Sequence, residues 1–419
     1  MKFGRILPLI AAAVVCPSAA THTQITYAHA DTGEISISDI GETSVDIIAD
    51  GKTFTYTDSA LMPSDFTVAE EIETRRINMP LEKKRELVDE YLRRGADYKT
   101  ALDVCFPLLS RTVDKVAESL YVSPEDARAE YNNGIFTAGP HRVGRRLDEG
   151  RLYAALYYCL KYGVNNSVTA ATVEIPPSVT KESLEQNLKL RSAYTTDYSS
   201  STSDRAHNVE LALKKLDGVR LAKGDALSFN ALVGARTVEN GYRKAKVIVD
   251  GKYVDGVGGG ACQASTAVYN AALLAGLTAS ANAHTICPTY CAPGLDAMIS
   301  VASDLIITND TDADVYFSVA FGGGTATVKV IGAPKKCEYI PESVIVRTVP
   351  HEELDKTDSE HKYFDGTAAT GDRMVIAPGR DGYESETYVK CVKDGQVIKR
   401  VRIRKNYYAA TPQITMVAP

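Results

Sequence analysis

Between residues 31 and 61 apolar and polar positions alternate weakly, in "EISISDIGETSVDIIADGKTFTY", which predicts short strands about a turn at Asp50-Gly51. From about Asp65 the period lengthens. In "PLEKKRELVDEYLRRG", Leu81, Leu87, Val88, Tyr91 and Leu92 form one apolar face, with Pro80 at the first helical position and Gly95 as the stop. "LDEGRLYAALYYCLKYG" predicts a second helix closed by Gly163, and Ser123-Pro124 predict a short helix in "SPEDARAEYNNG". "ATVEIPPSV" reads as a strand with a proline stop.

Arg191 to Asn208, "RSAYTTDYSSSTSDRAHN", is rich in Ser, Thr and Tyr and shows neither period, the signature of a linker or an extended crossing segment. Up to Ile331, a helix over 262–276 is interspersed with strands such as "KAKVIVDGKYV", "DLIITN" and "TATVKVIG". The C-terminal region alternates in "SETYVKCVKDGQVIKRVRIRKNYY", with a turn at Lys393-Asp394-Gly395. The fold class that follows is α+β and multidomain: a helical, mixed N-terminal domain, a central α+β domain and a small β-rich C-terminal domain.

Length and composition refine this. A chain of 419 residues calls for two or three domains, and 44% apolar residues suffice for sizeable cores. The net charge of −6 is spread along the sequence without a basic stripe, which argues against nucleic acid as a partner. Lys2 and Arg5 precede the apolar run Ile6–Val15 and then small residues, the order of a signal peptide over residues 1–30, too short for a membrane span. Cleavage after Ala20 or Ala30 would export the protein to the cell wall or the outer face of the membrane, and only an uncleaved anchor would hold it to the bilayer. Cys16 follows Val15, where a lipoprotein signal wants a small residue.

Export alters the cysteine count. Leaving out Cys16, seven of the eight remain, an odd number that leaves one thiol unpaired or paired between chains. By position Cys105 goes with Cys159, Cys337 with Cys391 and Cys287 with Cys291, and Cys262 is left over. Cys262 sits in "GGGACQASTAVYNAALLAGL", in the first turn of the expected helix, whose face Cys262, Thr266, Tyr269 and Leu273 would share. Helix N-terminal N–H groups and the dipole favour thiolate over thiol there, and the same N–H groups can form an oxyanion hole, with Gln263 as a further donor. A small buried core thiol beside a tight turn is the alternative.

A cysteine nucleophile needs a base. His284, in "ANAHTICPTYCAPGLDAMIS", follows the cysteine helix closely, and Asp296 is placed to fix its tautomer. His207, in the polar segment, is the second choice. His284, Cys287 and Cys291 also read H-x2-C-x3-C, and with Cys262 would make a Cys3His zinc site, although the spacing lacks the usual two-residue knuckle. No phosphate-binding loop, H-E-x-x-H or dinucleotide glycine pattern is present, and no cofactor is expected.

The run "KGDALSFNALVGARTVENGYRKAKVIVDGKYVDGVGGGACQASTAVYNAALLAGL", followed by "HTICPTYCAPGLDAMISVASDLIITN", closely resembles the VanW domain, and the likeness covers roughly Tyr194 to Ile331. The motif "PEDARAEYNNGIFTAGPHRVGRRLDEGRLYAAL" is similar to the peptidoglycan-binding domain that often precedes VanW. "DGTAATGDRMVIAPGRDGYESETYVKCVKDGQVIKR" is similar to the G-five wall domain. After the signal peptide (1–30), the resemblance implies a peptidoglycan-binding domain (31–176), a linker (177–193), a VanW domain (194–335) and a G-five-like domain (341–417). It implies cell-wall work: L,D-transpeptidation of peptidoglycan stem peptides through a thioester on Cys262, with His284 as base and peptidoglycan stems and glycan as partners; Asp296 as the orienting group is read from its position and not from the family. Gly259, Gly260, Gln263, Ser265, Thr266, Arg236 and Tyr242 are the expected substrate-binding residues, with Arg243 and Lys246 as further carboxylate candidates. A non-catalytic wall-binding protein and a zinc-dependent wall hydrolase are the alternatives. Lys223 stands where the family usually has proline, and Cys287 and Cys291 replace residues that are usually not cysteine.

Overall fold

A computed structural model describes residues 43–58, 79–163, 166–249, 252–364 and 368–419. The expected signal peptide, Cys16 and the strand expectation before Thr43 lie outside the described residues. The chain divides into two compact units, residues 1–120 with 147–171, and residues 121–146 with 172–419. The segment 31–176, expected to be one domain, is thus shared between units, while the segments 194–335 and 341–417 fall in one unit.

In the first unit Thr43–Ala49 pairs antiparallel with Lys52–Asp58 and parallel with Ser167–Thr169. The connecting turn has positive φ at Asp50 and Gly51, the geometry that hairpin turns demand. Helices Leu81–Arg93, Tyr98–Cys105, Pro107–Leu120 and Glu149–Tyr162 supply the rest. Pro80 precedes the first of these rather than starting it, Asp97 and Asp148 cap the second and fourth, and Gly163 closes the last in the left-handed conformation. Leu109, Val113, Val116 and Leu120 line up at helical spacing and join Ile47 and Leu156 in the core. Lys84 is fully buried there, paired with Asp58 at 2.7 Å and lying 5.4 Å from the centre of the Phe106 ring.

The second unit is built on an antiparallel sheet in the order Lys189–Asp197, Thr325–Gly332, Val315–Gly322, Arg220–Leu221. Strict alternation in Thr325–Gly332 buries Ala326, Val328 and Val330 on one face, whereas Val315–Val319 is buried continuously. Helix Ala261–Ala275 is buried on all sides except at Cys262 and Leu274, so the single apolar face expected of it is replaced by an all-round core helix. Its alanines permit this, because small side chains let the helix pack closely among Val209, Leu213, Phe317 and Val328. A three-stranded sheet, Glu338–Val349, Gly382–Lys393 and Gln396–Tyr408, and a second one, Glu353–Thr357, Gln413–Val417 and Arg373–Ala377, form the C-terminal part.

Two local expectations are corrected. "SPEDARAEYNNG" forms no helix: Ala129–Asn132 pairs with Ile135–Ala138 in a hairpin whose Asn133-Gly134 turn has positive φ at both residues. The segment 191–208 is not a linker. Its Thr and Tyr residues make the edge strand Lys189–Asp197, and Thr202 then caps helix Ser203–Lys214. Of the expected disulfides, Cys337–Cys391 is formed, whereas Cys159, Cys287 and Cys291 are thiols, so the other two pairings are not made. No helix among the described residues is long and apolar enough to cross a membrane.

The buried ion pair makes a prediction. Asp58→Ala removes the carboxylate 2.7 Å from the buried Lys84 ammonium and is expected to lower unfolding free energy by about 3–5 kcal/mol in urea titrations. Lys84→Met, which refills the volume and leaves a carboxylate with some access to water, should cost clearly less; equal losses would contradict the buried-charge account.

Candidate active site

The glycine run brings three segments together ahead of the cysteine helix. Gly258 and Gly260 have φ of +86° and +112°, conformations that other residues resist. A Cβ on Gly259 would lie 2.5 Å from the Lys246 carbonyl, and one on Gly260 would lie 2.8 Å from that of Arg205. Asn208, fully buried, bonds the Arg243 and Gly259 carbonyls at 2.9 Å each and accepts from the Arg243 N–H at 2.8 Å. These contacts fix where the helix starts. Turn bonds occupy the N–H groups of Ala261, Gln263 and Ala264, and no side chain caps the helix. Among the described residues the Cys262 N–H therefore has no acceptor.

The polar residues of the helix hold the segment that follows. Ser265 Oγ donates to the Ala297 carbonyl at 2.6 Å, Thr266 Oγ1 accepts from the Ala297 N–H at 3.0 Å, and Asn270 Nδ2 donates to the Leu295 carbonyl at 2.8 Å. Asp296, between those anchors, is thereby aimed at His284. Its Oδ2 accepts from the His284 backbone N–H at 2.7 Å and meets His284 Nδ1 at 2.6 Å. The other ring nitrogen is left free of Asp296, and the imidazole and the Cys262 thiol act on each other's ionisation. The thiol also approaches the Ile299 carbonyl at 3.4 Å. A further brace comes from Asp304, which takes Ser228 Oγ at 2.5 Å and the Asn230 N–H at 2.8 Å, while Asn230 ties down the carbonyls of Ser300 and Ser303.

His284 and Asp296 are buried, and of the three groups only Cys262 keeps accessible surface. Burial opposes ionisation of the Cys262 thiol, but the His284 hydrogen bond and charge outweigh it and the net shift is downward. Burial likewise works against the imidazolium, yet Asp296 and Cys262 raise His284 to about 9. Asp296 stays ionised below the ordinary carboxylate range because the His284 bond overcomes its burial. The three shifts all favour a thiolate–imidazolium pair held by a carboxylate. The other thiols move the opposite way: burial pushes Cys159 and Cys291 up and Cys287 to about 11. Among these four thiols only Cys262 is shifted toward the thiolate.

Cys262, His284 and Asp296 meet. Most of the residues expected to bind substrate do not reach the opening. Gln263 spends its amide on Thr196 Oγ1, the Asp197 carbonyl and Arg205, so it is no oxyanion donor. Ser265 and Thr266 are consumed by the contacts above and by the Cys262 carbonyl. Tyr242 is a core residue whose hydroxyl has no partner among the described residues. Gly259 and Gly260 serve backbone packing. Arg236, half-buried and bonded to Asn230 Oδ1 at 2.8 Å, is the one whose charge is felt at Cys262. Arg243 and Lys246 pair with Asp204 and Asp255, and His207 bonds the Gly241 carbonyl. Among the described residues no three His, Cys, Asp or Glu side chains are arranged to hold a metal ion.

Arg404 and Tyr408 are site neighbours that sequence reasoning missed. Arg404 Nη2 lies 3.1 Å and Tyr408 Oη 2.5 Å from Asp296 Oδ1. The available signal was weak: in "RKNYY" Arg404, Asn406 and Tyr408 share one strand face, an unusually polar set for a face that buries a tyrosine. Tyr290, 6.5 Å from the His284 ring centre and nearly perpendicular to it, was also missed.

Residues 204–331 match the family model described as VanW like protein. The chain is 32% identical over 194 residues to the Bacillus subtilis (strain 168) protein YoaR, described as uncharacterized, a match covering 46% of this chain and 63% of that one. It is 30% identical over 116 residues to the Vancomycin B-type resistance protein VanW of Enterococcus faecalis (strain ATCC 700802 / V583), covering 26% of this chain and 42% of that one. Less than two thirds of either relative is therefore spanned. A G5 structure, of HP0197-G5, is matched over 19% of this chain and 97% of its own, at 16% identity and a TM-score of 0.12.

The charge state predicts reactivity. Cys262 should react with iodoacetamide near neutral pH while Cys287 and Cys291 stay inert until alkaline pH, read cysteine by cysteine by mass spectrometry. The sign follows from the pair: protonated His284, persisting to about 9, stabilises the thiolate from below the ordinary thiol range upward. His284→Ala should move the acid limb of Cys262 alkylation up toward ~8.5; an unmoved limb would show that the imidazole does not set the thiol.

Proposed function

We propose that the chain, by virtue of its VanW-like domain, is a cell-wall acyltransferase that crosslinks peptidoglycan stem peptides through a thioester on Cys262. The observation that carries the reading is the half-buried Cys262, its thiol shifted toward the thiolate, beside the buried His284–Asp296 pair. The printed name of the Enterococcus faecalis relative, a vancomycin resistance protein, supports a place in wall metabolism.

In the reaction, the Cys262 thiolate attacks the carbonyl carbon of the third stem residue. Negative charge developing on the carbonyl oxygen is met by the Cys262 N–H. Protonated His284 gives its proton to the nitrogen of the terminal D-alanine, the amide C–N bond breaks, and the thioester remains. A side-chain amine of a second stem then attacks the thioester. Neutral His284 accepts the amine's proton, the new amide forms, and Cys262 leaves as thiolate, restoring the starting pair. Asp296 keeps the imidazole in the tautomer and orientation that both proton transfers need. Arg236, whose charge reaches the opening, is the group suited to a substrate carboxylate.

The test is product analysis with purified protein, a disaccharide-tetrapeptide donor and an amine-bearing acceptor stem. Crosslinked dimer and free D-alanine should appear together, and Cys262→Ala should abolish both while keeping its unfolding midpoint. His284→Ala is expected to lose about 10²-fold or more in rate. Full product from a folded Cys262→Ala protein would overturn the proposal.

A further inference from the structure

The Asp296 carboxylate is divided between two parts of the chain. Oδ2 faces His284, and among the described residues Oδ1 is met only by residues of the C-terminal strand Gln396–Tyr408. Asp296 is wholly inaccessible to water, so this second oxygen depends on those donors for its hydrogen bonds.

The same two side chains also grip the backbone around the site. Arg404 donates to the carbonyls of Ala281 at 3.0 Å, Gly294 at 2.5 Å and Asp296 at 2.7 Å. One guanidinium therefore spans both ends of the segment that carries His284. Tyr408 Oη accepts from the Gly294 N–H at 2.6 Å while donating to Asp296. Neighbours on the C-terminal sheets add to the clamp. Thr387 Oγ1 reaches the Gly294 carbonyl at 2.9 Å, Ser343 Oγ reaches that of Pro293 at 2.5 Å, and the Ala409 N–H bonds the carbonyl of Thr285, next to His284, at 2.9 Å. The segment 281–297 has no strand or helix to define its own shape beyond an isolated bridge from Asn282 to Met298. Its geometry is imposed from outside.

We infer that Arg404 and Tyr408 are positioning residues of the Cys262 centre, and that the C-terminal sheet completes this centre rather than serving only as an appended wall-binding or spacing module. Their role in transfer rests on the acyltransferase reading above; their role in setting the His284–Cys262 pair does not. A carboxylate free to rotate would let the imidazole tilt, and a displacement on the order of 1 Å costs about 10²-fold in rate.

The variant that isolates this is Tyr408→Phe, which removes one oxygen from a fully buried ring and keeps its volume. Two readings are taken on protein shown to be folded by circular dichroism and its thermal midpoint: kcat and KM for transfer, and the pH profile of Cys262 alkylation by iodoacetamide. The expected result is a kcat lowered on the order of 10²-fold with KM unchanged, and an acid limb moved up toward that of an ordinary thiol. Wild-type kcat together with a wild-type acid limb would overturn the positioning role while leaving the acyltransferase reading intact. Conversely, a wild-type protein without transfer activity whose acid limb still moves in Tyr408→Phe would sink the acyltransferase reading and retain the positioning role. If Tyr408→Phe does not fold, Arg404→Lys carries the same comparison, since an ammonium keeps the charge but cannot span carbonyls at both ends of the segment.

Discussion

The site hangs on one buried carboxylate. Asp296 has no contact with water and carries a charge that would be costly to bury alone, yet every direction around it is occupied: His284 through both its backbone and its ring, Arg404 and Tyr408 from the far strand. That arrangement fixes the tautomer of His284, raises its basicity and so shifts the half-buried Cys262 toward the thiolate. The surrounding structure can be understood as what keeps Asp296 in place. The helix residues Ser265, Thr266 and Asn270 hold the chain on either side of it, and the glycine run fixes where that helix begins.

This reassigns much of the motif around the cysteine. Residues that look like substrate ligands in the sequence, Gln263, Ser265 and Thr266, are polar because buried polar groups need partners, and Gln263 meets the Thr196 hydroxyl, the Asp197 carbonyl and the Arg205 guanidinium. The chemistry is confined to the one position of the helix's first turn that still meets solvent. The odd cysteine count pointed to that residue. The structure adds that Cys287 and Cys291, close in sequence to His284, are unjoined and have thiols made less acidic by burial, whereas Cys262 is shifted the other way.

How far the sequence was legible follows from the range of the interactions. The helix after the glycines, the turns at Asp50-Gly51 and Asp394-Gly395, and the alternating strand Thr325–Gly332 are local patterns with local causes. His284 and Asp296 could be singled out because they lie within a short stretch downstream of Cys262 and few histidines compete. What failed was non-local. "SPEDARAEYNNG" carries a helix-start signal, but the Asn133-Gly134 turn and strand pairing outweigh it. The segment 191–208 looks like a linker only until Thr325–Gly332, far along the chain, arrives to pair with it. Arg404 and Tyr408 sit more than a hundred residues from Asp296, and an alternating strand gives no indication of which carboxylate its basic face will meet.

The most direct test of a nucleophilic Cys262 is intact-protein mass spectrometry of the reduced wild-type chain incubated with a disaccharide-tetrapeptide and no acceptor amine. A nucleophilic Cys262 predicts a mass increase equal to the donor less D-alanine, mapping to Cys262, labile to hydroxylamine and absent from Cys262→Ala. A folded, reduced protein with its Cys262 thiol demonstrably present and no such adduct would contradict it, and Cys262 would then be a structural thiol at the head of a core helix.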